Sequence, residues 1–396
     1  MKIFHLVENL DDSYGGPAKS ITNLASYLPD SKEQELLSIR WKPNEVNEVA
    51  ELKSLKWKSF RHLFFKKISY SLSLKKYLND NNNSETIFHV HNLWNYIPYI
   101  AYKVAYKRDV KLVFSVRGSL YPWSLSQSKI IKKIAWAFFQ KRALNSASCI
   151  HVTHISELKA VRNIGITTPI AVIPNGVSLK EFNYKKEKIT AKKDLRLNIQ
   201  KKYILFISRI HPKKGLDLLI KSWTNLNIKY PDWDLLIVGP NDDIGYLNYI
   251  KKLITDGGIK NKVHFAGMLS GEDRINSFYA SSLFVLPSHT ENFGIVIAEA
   301  LAAGLPVITT TETPWEEIKE KNAGWWVKNK QSFIQKAMDE ALSLKETELT
   351  KLTENGLNLV QSYDWQIQAD KMNNLYSWVL KNTNPPDFLD FNDKEI

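Results

Sequence analysis

The sequence predicts an α/β protein with two doubly wound domains, and three observations support this fold class. Short apolar segments alternate with helical patterns in both halves of the chain, which is typical of parallel sheets with crossover helices. The chain has 396 residues, which is too long for one ordinary core. A lysine-rich stretch with few apolar residues, 182–199, separates the two series of segments. The predicted strands occupy 2–7, 88–91, 111–116, 149–153 and 170–173, then 203–208, 233–238, 262–265, 283–287 and 307–310.

The lysine-rich stretch sets the predicted domain boundary. We expect one domain over 1–185, completed by a carboxy-terminal helix at about 365–382, and a second domain over 186–364. Ligands of doubly wound domains bind beyond the carboxyl ends of the strands, where helix N-terminal amides face the ligand. The segments that directly follow strands are therefore the candidate sites.

Composition narrows the classes of partner. The formal net charge of +13 and the pI near 9.3 indicate an anionic partner, which could be nucleic acid, a phospholipid surface or a phosphorylated small molecule. Cys149 is the single cysteine of the sequence, so we expect no internal disulfide framework and a reducing cytoplasm. The amino terminus lacks a small-residue cleavage site, and no window holds 18 uninterrupted apolar residues. We expect a protein that is neither secreted nor membrane-spanning.

The stretch Thr290–Thr310, TENFGIVIAEALAAGLPVITT, predicts a helix between two buried parallel strands. Phe293-Gly294 marks a tight entry, and Gly304 stands where a helix C′ residue takes a positive φ. The helix should therefore run from about Ile295 to Ala303. The strand, loop, helix and strand form a βαβ unit.

Two glutamates of this unit are candidate binding residues. Glu291 lies in the loop at the carboxyl edge of the predicted sheet, with the backbone amides of Asn292, Phe293 and Gly294 beside it. Glu299 lies two turns into the helix among alanine and leucine neighbours, which leave little polar face for a carboxylate. Such a carboxylate needs a partner, and the two hydroxyls of a ribose would supply one. A polyhydroxylated nucleotide would satisfy the whole group, although a solvated helix position is the ordinary alternative for Glu299.

Basic residues and glycines follow two other predicted strands. Arg209 and Lys214 stand after the strand 203–208, where two cations could meet a diphosphate at the sheet edge. A basic surface loop is the alternative. Gly15 and Gly16 follow the first strand and would let the backbone approach an anion closely. Taken alone, this Gly-Gly-Pro turn is more typical of ordinary turn chemistry.

Taken together, these motifs resemble the retaining family 4 glycosyltransferases. Their GT-B architecture has two facing Rossmann-like domains with parallel sheets and a cleft between them. The resemblance covers residues 1 to about 380, and the order and spacing of the motifs carry it. The matching motifs are Gly15-Gly16, Ile173-Pro-Asn-Gly-Val177, Ser208-Arg209 with Lys214-Gly215, Gly239-Pro240, the Glu-x7-Glu pair Glu291 and Glu299, and Gly304-x-Pro306-Val307.

The resemblance implies a nucleotide-diphosphate-sugar donor in the second domain. Arg209 and Lys214 would contact the diphosphate, Glu299 the ribose, and Glu291 the transferred hexose. The amides of 292–294 would donate to the sugar, and Gly15 and Gly16 would face the diphosphate from the first domain. The reaction would retain the anomeric configuration, with the departing diphosphate assisting deprotonation of the acceptor. The resemblance implies no metal and no cofactor beyond the donor.

One position departs from the family pattern. Many relatives carry a histidine after the strand that here reads Lys111-Leu-Val-Phe-Ser115, and this histidine contacts the donor sugar. The chain has Arg117 at that position, so Arg117 is a candidate catalytic residue. His91, at the end of another predicted strand, is a second candidate for the missing histidine, although a lone histidine there is more often structural.

Two basic, aromatic segments are candidate contact regions for a partner. The segment 52–78 contains eight lysines and arginines and no acidic residue, and 129–142 has the same character. They could dock on anionic lipid or form core-facing helices with solvated basic faces. The docking interpretation predicts a peripheral protein on the inner face of the cytoplasmic membrane. The resemblance implies that the acceptor is a lipid-linked saccharide in the synthesis of a bacterial surface polysaccharide (O-antigen, capsule or exopolysaccharide).

Two other functional classes stay open at this point. A GT-B-type nucleotide-sugar epimerase would share the two-domain architecture, but it would form product without an acceptor. A nucleic-acid-binding protein is suggested by charge and aromatic residues alone, and we expect no nucleic-acid partner. The sequence leaves open the nucleotide base, the donor sugar, the acceptor and the oligomeric state.

Overall fold

A computed structural model describes residues 1–10, 16–30, 32–39, 55–61, 70–182 and 186–391 of the chain. It divides into two compact units, Met1–Gly176 with Trp365–Ile396, and Val177–Asp364. The chain passes from the first unit to the second between Gly176 and Val177, earlier than the boundary predicted after residue 185. The stretch 182–199, predicted as a linker, belongs to the second unit and contains the helix Lys188–Asp194, which packs on the helix Gly271–Tyr279.

The first unit is built on a parallel sheet closed at one edge by a short antiparallel strand. Within the described residues the sheet has eight strands in the order β14-β7-β6-β5-β4-β1-β2-β3, with β14 antiparallel to β7. Strands β1, β4, β5 and β6 are buried along most of their length, as expected for a sheet covered on both faces. The strands are β1 Lys2–Val7, β2 Glu33–Ser38, β3 Lys56–Ser59, β4 Thr86–His91, β5 Lys111–Ser115, β6 Cys149–Val152, β7 Ile170–Val172 and β14 Leu389–Asp390.

Helices cover the sheet of the first unit. The carboxy-terminal helix α17 returns to this unit and packs on α1. Gly176 permits this return, because a Cβ there would lie 2.4 Å from the ring of Trp365, the first residue of α17. The helices are α1 Gly16–Tyr27, α2 Leu72–Asp80, α3 Ile97–Arg108, α4 Pro122–Ser126, α5 Lys129–Ala135, a π-helix Trp136–Gln140, α6 Lys141–Asn145, α7 Ile155–Asn163 and α17 Trp365–Val379.

The second unit has a fully parallel sheet of six strands within the described residues, in the order β10-β9-β8-β11-β12-β13. Its strands are β8 Lys202–Ile207, β9 Trp233–Val238, β10 Val263–Gly267, β11 Leu283–Leu286, β12 Val307–Thr310 and β13 Gly324–Val327. Its helices are α8 Leu179–Phe182, α9 Lys188–Asp194, α10 Leu216–Leu226, α11 Ile244–Asp256, α12 Gly271–Tyr279, α13 Ile295–Ala302, α14 Glu317–Glu320, α15 Gln331–Ser343 and α16 Glu346–Gln361.

The predicted α/β class with two parallel sheets is confirmed. The predicted helix at Ile295 is α13, and Gly304 after it has a φ of 77°, as a C′ glycine requires. The segment 52–78 is not a continuous helix where it is described. It contributes the edge strand β3 and helix α2, and Phe60 is 6% exposed and packs on Tyr77. The structure therefore favours the core interpretation for the described part of this segment.

Candidate functional site

Lys214 and Glu291 meet at the carboxyl edge of the second sheet. Lys214 ends a short 3-10 turn after β8, and its Nζ lies 2.5 Å from Oε1 of Glu291 in the loop after β11. The hydroxyl of Ser288 donates to the same carboxylate oxygen at 2.9 Å. The two charged side chains are only 16% and 11% exposed, so water screens this pair less than a surface ion pair. The carboxylate is therefore held in one orientation by a cation and a hydroxyl.

Gly215 explains how Lys214 reaches this position. Its φ is 66°, and a Cβ there would lie 2.0 Å from the carbonyl oxygen of Pro287. Only glycine combines the left-handed backbone with such a close approach to the loop after β11. The backbone amide of His289 also donates to the carbonyl of Lys213 at 2.8 Å. These contacts bring the ends of β8 and β11 together.

Arg209, the other predicted diphosphate ligand, lies in a more exposed ion pair. Its Nη1 is 2.9 Å from Oδ2 of Asp242, and the two side chains are 48% and 32% exposed. An ion pair of this exposure contributes about 0 to 1 kcal/mol. Arg209 can therefore exchange Asp242 for an incoming anion at little cost.

The turn before α13 is fixed by aromatic packing. Phe293 is 4% exposed, its ring packs on Trp315 and Tyr363, and its carbonyl accepts from the indole Nε1 of Trp315 at 2.5 Å. Gly294 then starts α13 in the left-handed region with a φ of 79°. The side chain of Phe293 is thus part of the core. The predicted contribution of Asn292, Phe293 and Gly294 through backbone amides stays a prediction.

Glu299 has a partner within the chain that the sequence analysis missed. Glu299 is 2% exposed, and a guanidinium nitrogen of Arg274 on α12 donates to its Oε2. Arg274 also lies over the ring of Phe278, 5.5 Å from its centroid. The buried carboxylate is therefore satisfied in part by the protein. Contact between Glu299 and a ribose stays a prediction, which now includes Arg274 as a neighbour of that site.

In the first unit, Arg117 follows β5 in a left-handed conformation with a φ of 46°. Its Nη1 donates to the hydroxyl of Ser20 on α1 at 2.7 Å, and its Nη2 lies 3.3 Å from Nδ1 of His91. Burial lowers the pKa of Arg117 to about 10, while Glu157 opposes this shift. The guanidinium stays charged at neutral pH. Arg117 and His91, which the sequence offered as alternatives, thus lie in contact.

Glu157 holds the turn that carries Arg117. This buried carboxylate accepts from the backbone amide of Gly118, from the amide of Thr153 at 2.8 Å and from the Thr153 hydroxyl at 3.1 Å. Burial raises its pKa, and these hydrogen bonds and Arg117 counteract the shift. The sequence analysis did not identify Glu157, because the turn at Gly118 that it holds lies 39 residues away in the sequence.

Gly16 is the first residue of α1 and is exposed, with nothing within 4 Å of an added Cβ. Gly15 lies outside the described residues.

Among the described side chains, His5, His89 and His91 form the group that could hold a metal ion, since their ring nitrogens lie within 4.8 Å of one another. These nitrogens are engaged in hydrogen bonds, and the adjacent Arg117 cation disfavours a second positive charge there.

Two family models match the chain. Residues 14–181 match the family described as Glycosyltransferase Family 4, and residues 187–359 match the family described as Glycosyl transferases group 1. The motifs identified above in the second unit, from Arg209 to Glu299, fall within the group 1 match. Arg117 and His91 fall within the Family 4 match.

Curated relatives agree with these matches. An uncharacterized glycosyltransferase of Methanocaldococcus jannaschii is 29% identical over 59% of this chain and 61% of its own length. The lipopolysaccharide core biosynthesis mannosyltransferase LpsB of Rhizobium meliloti is 30% identical over 39% of this chain and 44% of its own length. The chain thus spans about half the length of the curated relatives it matches.

Solved structures of low sequence identity share the fold of this chain. The crystal structure of HepE from Anabaena, in complex with UDP-glucose, superposes with a TM-score of 0.78 at 17% sequence identity, over 96% of this chain and all of HepE. Identity this low supports the fold alone, and the predicted GT-B fold class is confirmed. The chain therefore has the GT-B fold, with a region that matches the Family 4 model followed by a region that matches the group 1 model.

Proposed function

We propose that the protein is a retaining glycosyltransferase that moves a hexose from a nucleoside-diphosphate-sugar to a saccharide acceptor. The observation that carries this proposal is the Lys214–Glu291 pair, which is shielded from water at the carboxyl edge of the second sheet. A partly buried cation beside an oriented carboxylate suits a donor that carries both a diphosphate and sugar hydroxyls. The UDP-glucose complex of HepE shows that this fold can hold such a donor.

In the proposed reaction, an acceptor hydroxyl oxygen forms a bond to the anomeric carbon on the face from which the diphosphate departs. The bond between that carbon and the diphosphate oxygen breaks, and the acceptor proton passes to the departing phosphate. Lys214 and Arg209 stabilise the negative charge that grows on the leaving group. Glu291 accepts hydrogen bonds from hydroxyls of the transferred sugar. No step requires a metal ion, so we expect EDTA to leave the rate unchanged.

The ribose contact of Glu299 can be tested by nucleotide binding alone. We expect Glu299→Gln to weaken binding of a free nucleoside diphosphate by about 1 kcal/mol, because the ribose hydroxyls then donate to a neutral amide oxygen instead of a carboxylate. A nucleotide that binds only the folded state raises thermal stability by RT ln(1 + [L]/Kd), so a screen of UDP, GDP and ADP also identifies the base. Calorimetry then measures the loss.

Glu354→Gln is the matched control for this experiment, since Glu354 is an exposed carboxylate of the same unit on α16. Both variants are compared at equal folded fraction, because Glu299 is buried and Glu354 is not. Unchanged nucleotide affinity in a folded Glu299→Gln variant would refute the ribose assignment.

We also propose that the acceptor is a lipid-linked saccharide of a bacterial surface polysaccharide. The similarity to LpsB supports this class of pathway, and a surface of the first unit supports the location. We define the apolar basic surface as residues 129–142, which form α5, the π-helix and the start of α6. Ile130, Ile131 and Phe138 are 75%, 72% and 76% exposed there. No acidic residue occurs between Val110 and Ser156.

Exposed isoleucine and phenylalanine surrounded by lysine suit an anionic lipid surface. Each lysine near such a surface contributes about 1 kcal/mol, and the apolar side chains add burial in the headgroup region. None of the helices in the described residues is both long and apolar enough to cross a membrane. The proposed attachment is thus peripheral, on the inner face of the cytoplasmic membrane.

Serine substitution of Ile130, Ile131 and Phe138 should release the protein from anionic vesicles. We expect co-sedimentation with anionic vesicles to fall at least tenfold, because burial of one such side chain contributes about 1.5 to 3 kcal/mol. The melting temperature should hardly change, since these side chains are exposed. Ile228→Ser, at an isoleucine that is 87% exposed in the second unit, should leave vesicle binding unchanged. Equal, negligible binding of the wild type to anionic and neutral vesicles would contradict the membrane proposal.

A further inference from the structure

Four histidines lie side by side inside the first sheet. His5 on β1, His89 and His91 on β4 and His151 on β6 are at most 3% exposed. Imidazoles in a sheet core must be hydrogen-bonded, because an unpaired buried polar group costs several kcal/mol. Their ring nitrogens form two separate hydrogen-bonded chains, and each chain has only one possible direction.

The first chain connects the sheet to α17. His151 must donate through Nε2, since its partner is the carbonyl of Ile173 at 2.8 Å, so its Nδ1 accepts from the Ser115 hydroxyl at 2.6 Å. Ser115 in turn accepts from Nε2 of His89 at 2.6 Å, and Nδ1 of His89 accepts from the Tyr376 hydroxyl at 2.6 Å. The chain ends inside the core on both sides. Its role is to join the strands to the last helix.

The second chain ends at Arg117, whose side chain is partly exposed after the end of β5. A guanidinium can only donate, so Nδ1 of His91 is the acceptor for Arg117. His91 then carries its hydrogen on Nε2 and donates it to Nδ1 of His5 at 3.1 Å. Nε2 of His5 donates to the Gln34 side-chain oxygen at 3.3 Å. The Gln34 amide nitrogen donates to the carbonyl of Ala25 on α1 at 3.1 Å, which fixes the orientation of its oxygen.

We infer that Gln34, His5 and His91 are positioning residues that hold the guanidinium of Arg117, together with Ser20, in one orientation for contact with the donor sugar. This inference rests on the proposed function, because it assigns the contact to that donor. The resemblance implies that Arg117 stands where many relatives have a donor-contacting histidine, and a long side chain loses rotamer entropy when it is fixed in one orientation. The hydrogen-bonded chain and Ser20 already hold the Arg117 side chain in one orientation before the donor binds, so donor binding requires a smaller loss of rotamer entropy.

The electrostatics of the chain agree with this role. Burial lowers the pKa of His5 to about 4 and holds the pKa of His91 well below its ordinary value, with the Arg117 cation adding to both shifts. Both imidazoles are therefore neutral at pH 7, as an acceptor for a guanidinium must be. Nε of Arg117 is buried and has no hydrogen-bond partner among the described residues, so this N–H could donate only to a water molecule inside the first unit. A cavity of about 10 Å³, room for about one water molecule, adjoins Arg117.

The second hydrogen-bonded chain is tested by nitrogen-15 NMR of the histidine rings in the full-length protein at pH 7. We expect His5 and His91 to be neutral, with hydrogen on Nε2 and an unprotonated, accepting Nδ1. In Arg117→Met, the donor is gone, so the Nδ1 signal of His91 should move toward that of a free imidazole nitrogen. A His91 that carries its hydrogen on Nδ1 in the wild type would overturn the chain, whether or not the protein transfers sugar.

Kinetics with the nucleotide-sugar identified by the stability screen test the positioning. His91→Leu removes the acceptor, and we expect kcat/KM for the donor to fall at least tenfold. His91→Asn places an amide oxygen near the position of Nδ1 and should recover most of this loss. Gln34→Leu, two steps away, should produce a smaller loss in the same direction.

Tyr376→Phe is the matched control, since it breaks the first chain in the same core. A merely structural role predicts that Tyr376→Phe and His91→Leu both lower the melting temperature and leave kcat/KM per folded molecule unchanged. Wild-type kcat/KM in folded His91→Leu would overturn the positioning role. If the wild type transfers no sugar to any acceptor, the proposed function and the contact of Arg117 with the donor sugar are both refuted. The NMR result on the hydrogen-bonded chain does not depend on that outcome.

Discussion

Replacement of Lys214 by alanine is expected to lower turnover about a hundredfold or more, by analogy with removal of one donor from an oxyanion site. The Lys214 ammonium would meet the negative charge that grows on the departing diphosphate. Its position at 16% exposure, in an ion pair with Glu291, makes it a fixed charge that needs no reorganisation during the reaction. Steady-state rates with a saturating donor measure the effect on turnover.

Two variants separate this effect from a loss of structure. Lys214→Ala leaves the Glu291 carboxylate without its cation, so the double variant Lys214→Ala/Glu291→Gln shows how much of any instability comes from that charge. Lys213→Ala changes a neighbouring cation in the same turn and should keep nearly the wild-type rate. A Lys214→Ala protein that melts normally and turns over at the wild-type rate would remove Lys214 from the site.

Acidification should destabilise the first unit strongly between about pH 6.5 and pH 4. The folded-state pKa values of His5 and His151 lie near 4 because of burial, below the ordinary value of 6.5 that applies when the chain is unfolded. The unfolded state therefore binds more protons in this window, and stability falls as pH falls. At pH 5 the loss is about 2 kcal/mol for each of these two histidines. His89 and His91, whose pKa values are also lowered, act in the same direction.

Glu157 acts in the opposite direction. Burial raises its pKa, so the folded state gains protons there on acidification and recovers part of the loss. Urea unfolding at pH 7 and pH 5, followed by amide hydrogen exchange of β1 and β4 peptides, measures the balance in the first unit. His151→Gln should reduce the difference between the two pH values, and His264→Gln in the second unit should not. Equal stability of the first unit at pH 7 and pH 5 would show that the histidines are not buried as neutral groups.

Local patterns in the sequence predicted the elements that local chemistry controls. The alternation of apolar runs with helical patterns predicted both parallel sheets, and Gly294 and Gly304 marked the ends of α13 because those positions need a positive φ. The placement of Lys214 beside Gly215 after a strand also predicted a cation at the sheet edge. These signals lie within a few residues of the structure they specify.

Contacts between distant residues were not predictable in this way. The partner of Glu299, Arg274, lies 25 residues away on another helix, and the partners of Arg117 lie on α1 and β4. The sequence analysis identified His91 as a candidate, but His5, His89 and His151 have no distinguishing local pattern, and only the strand order places the four histidines close together. The sequence left two interpretations of segment 52–78 open for the same reason, since a basic aromatic segment has the same pattern whether its aromatic residues face lipid or pack in the core, as Phe60 does on Tyr77.

The most direct test of the account is NMR of nucleoside-diphosphate-sugars incubated with the protein and a lipid-linked saccharide extract in the presence of EDTA, in which phosphorus-31 signals follow the donor and anomeric proton signals report the configuration of the product. The account predicts that one donor is converted to its nucleoside diphosphate only when the extract is present, and that the new glycosidic bond has the anomeric configuration of the donor. Conversion without any acceptor would indicate an epimerase or hydrolase. Inversion of configuration, or no binding and no consumption of any donor, would contradict the account.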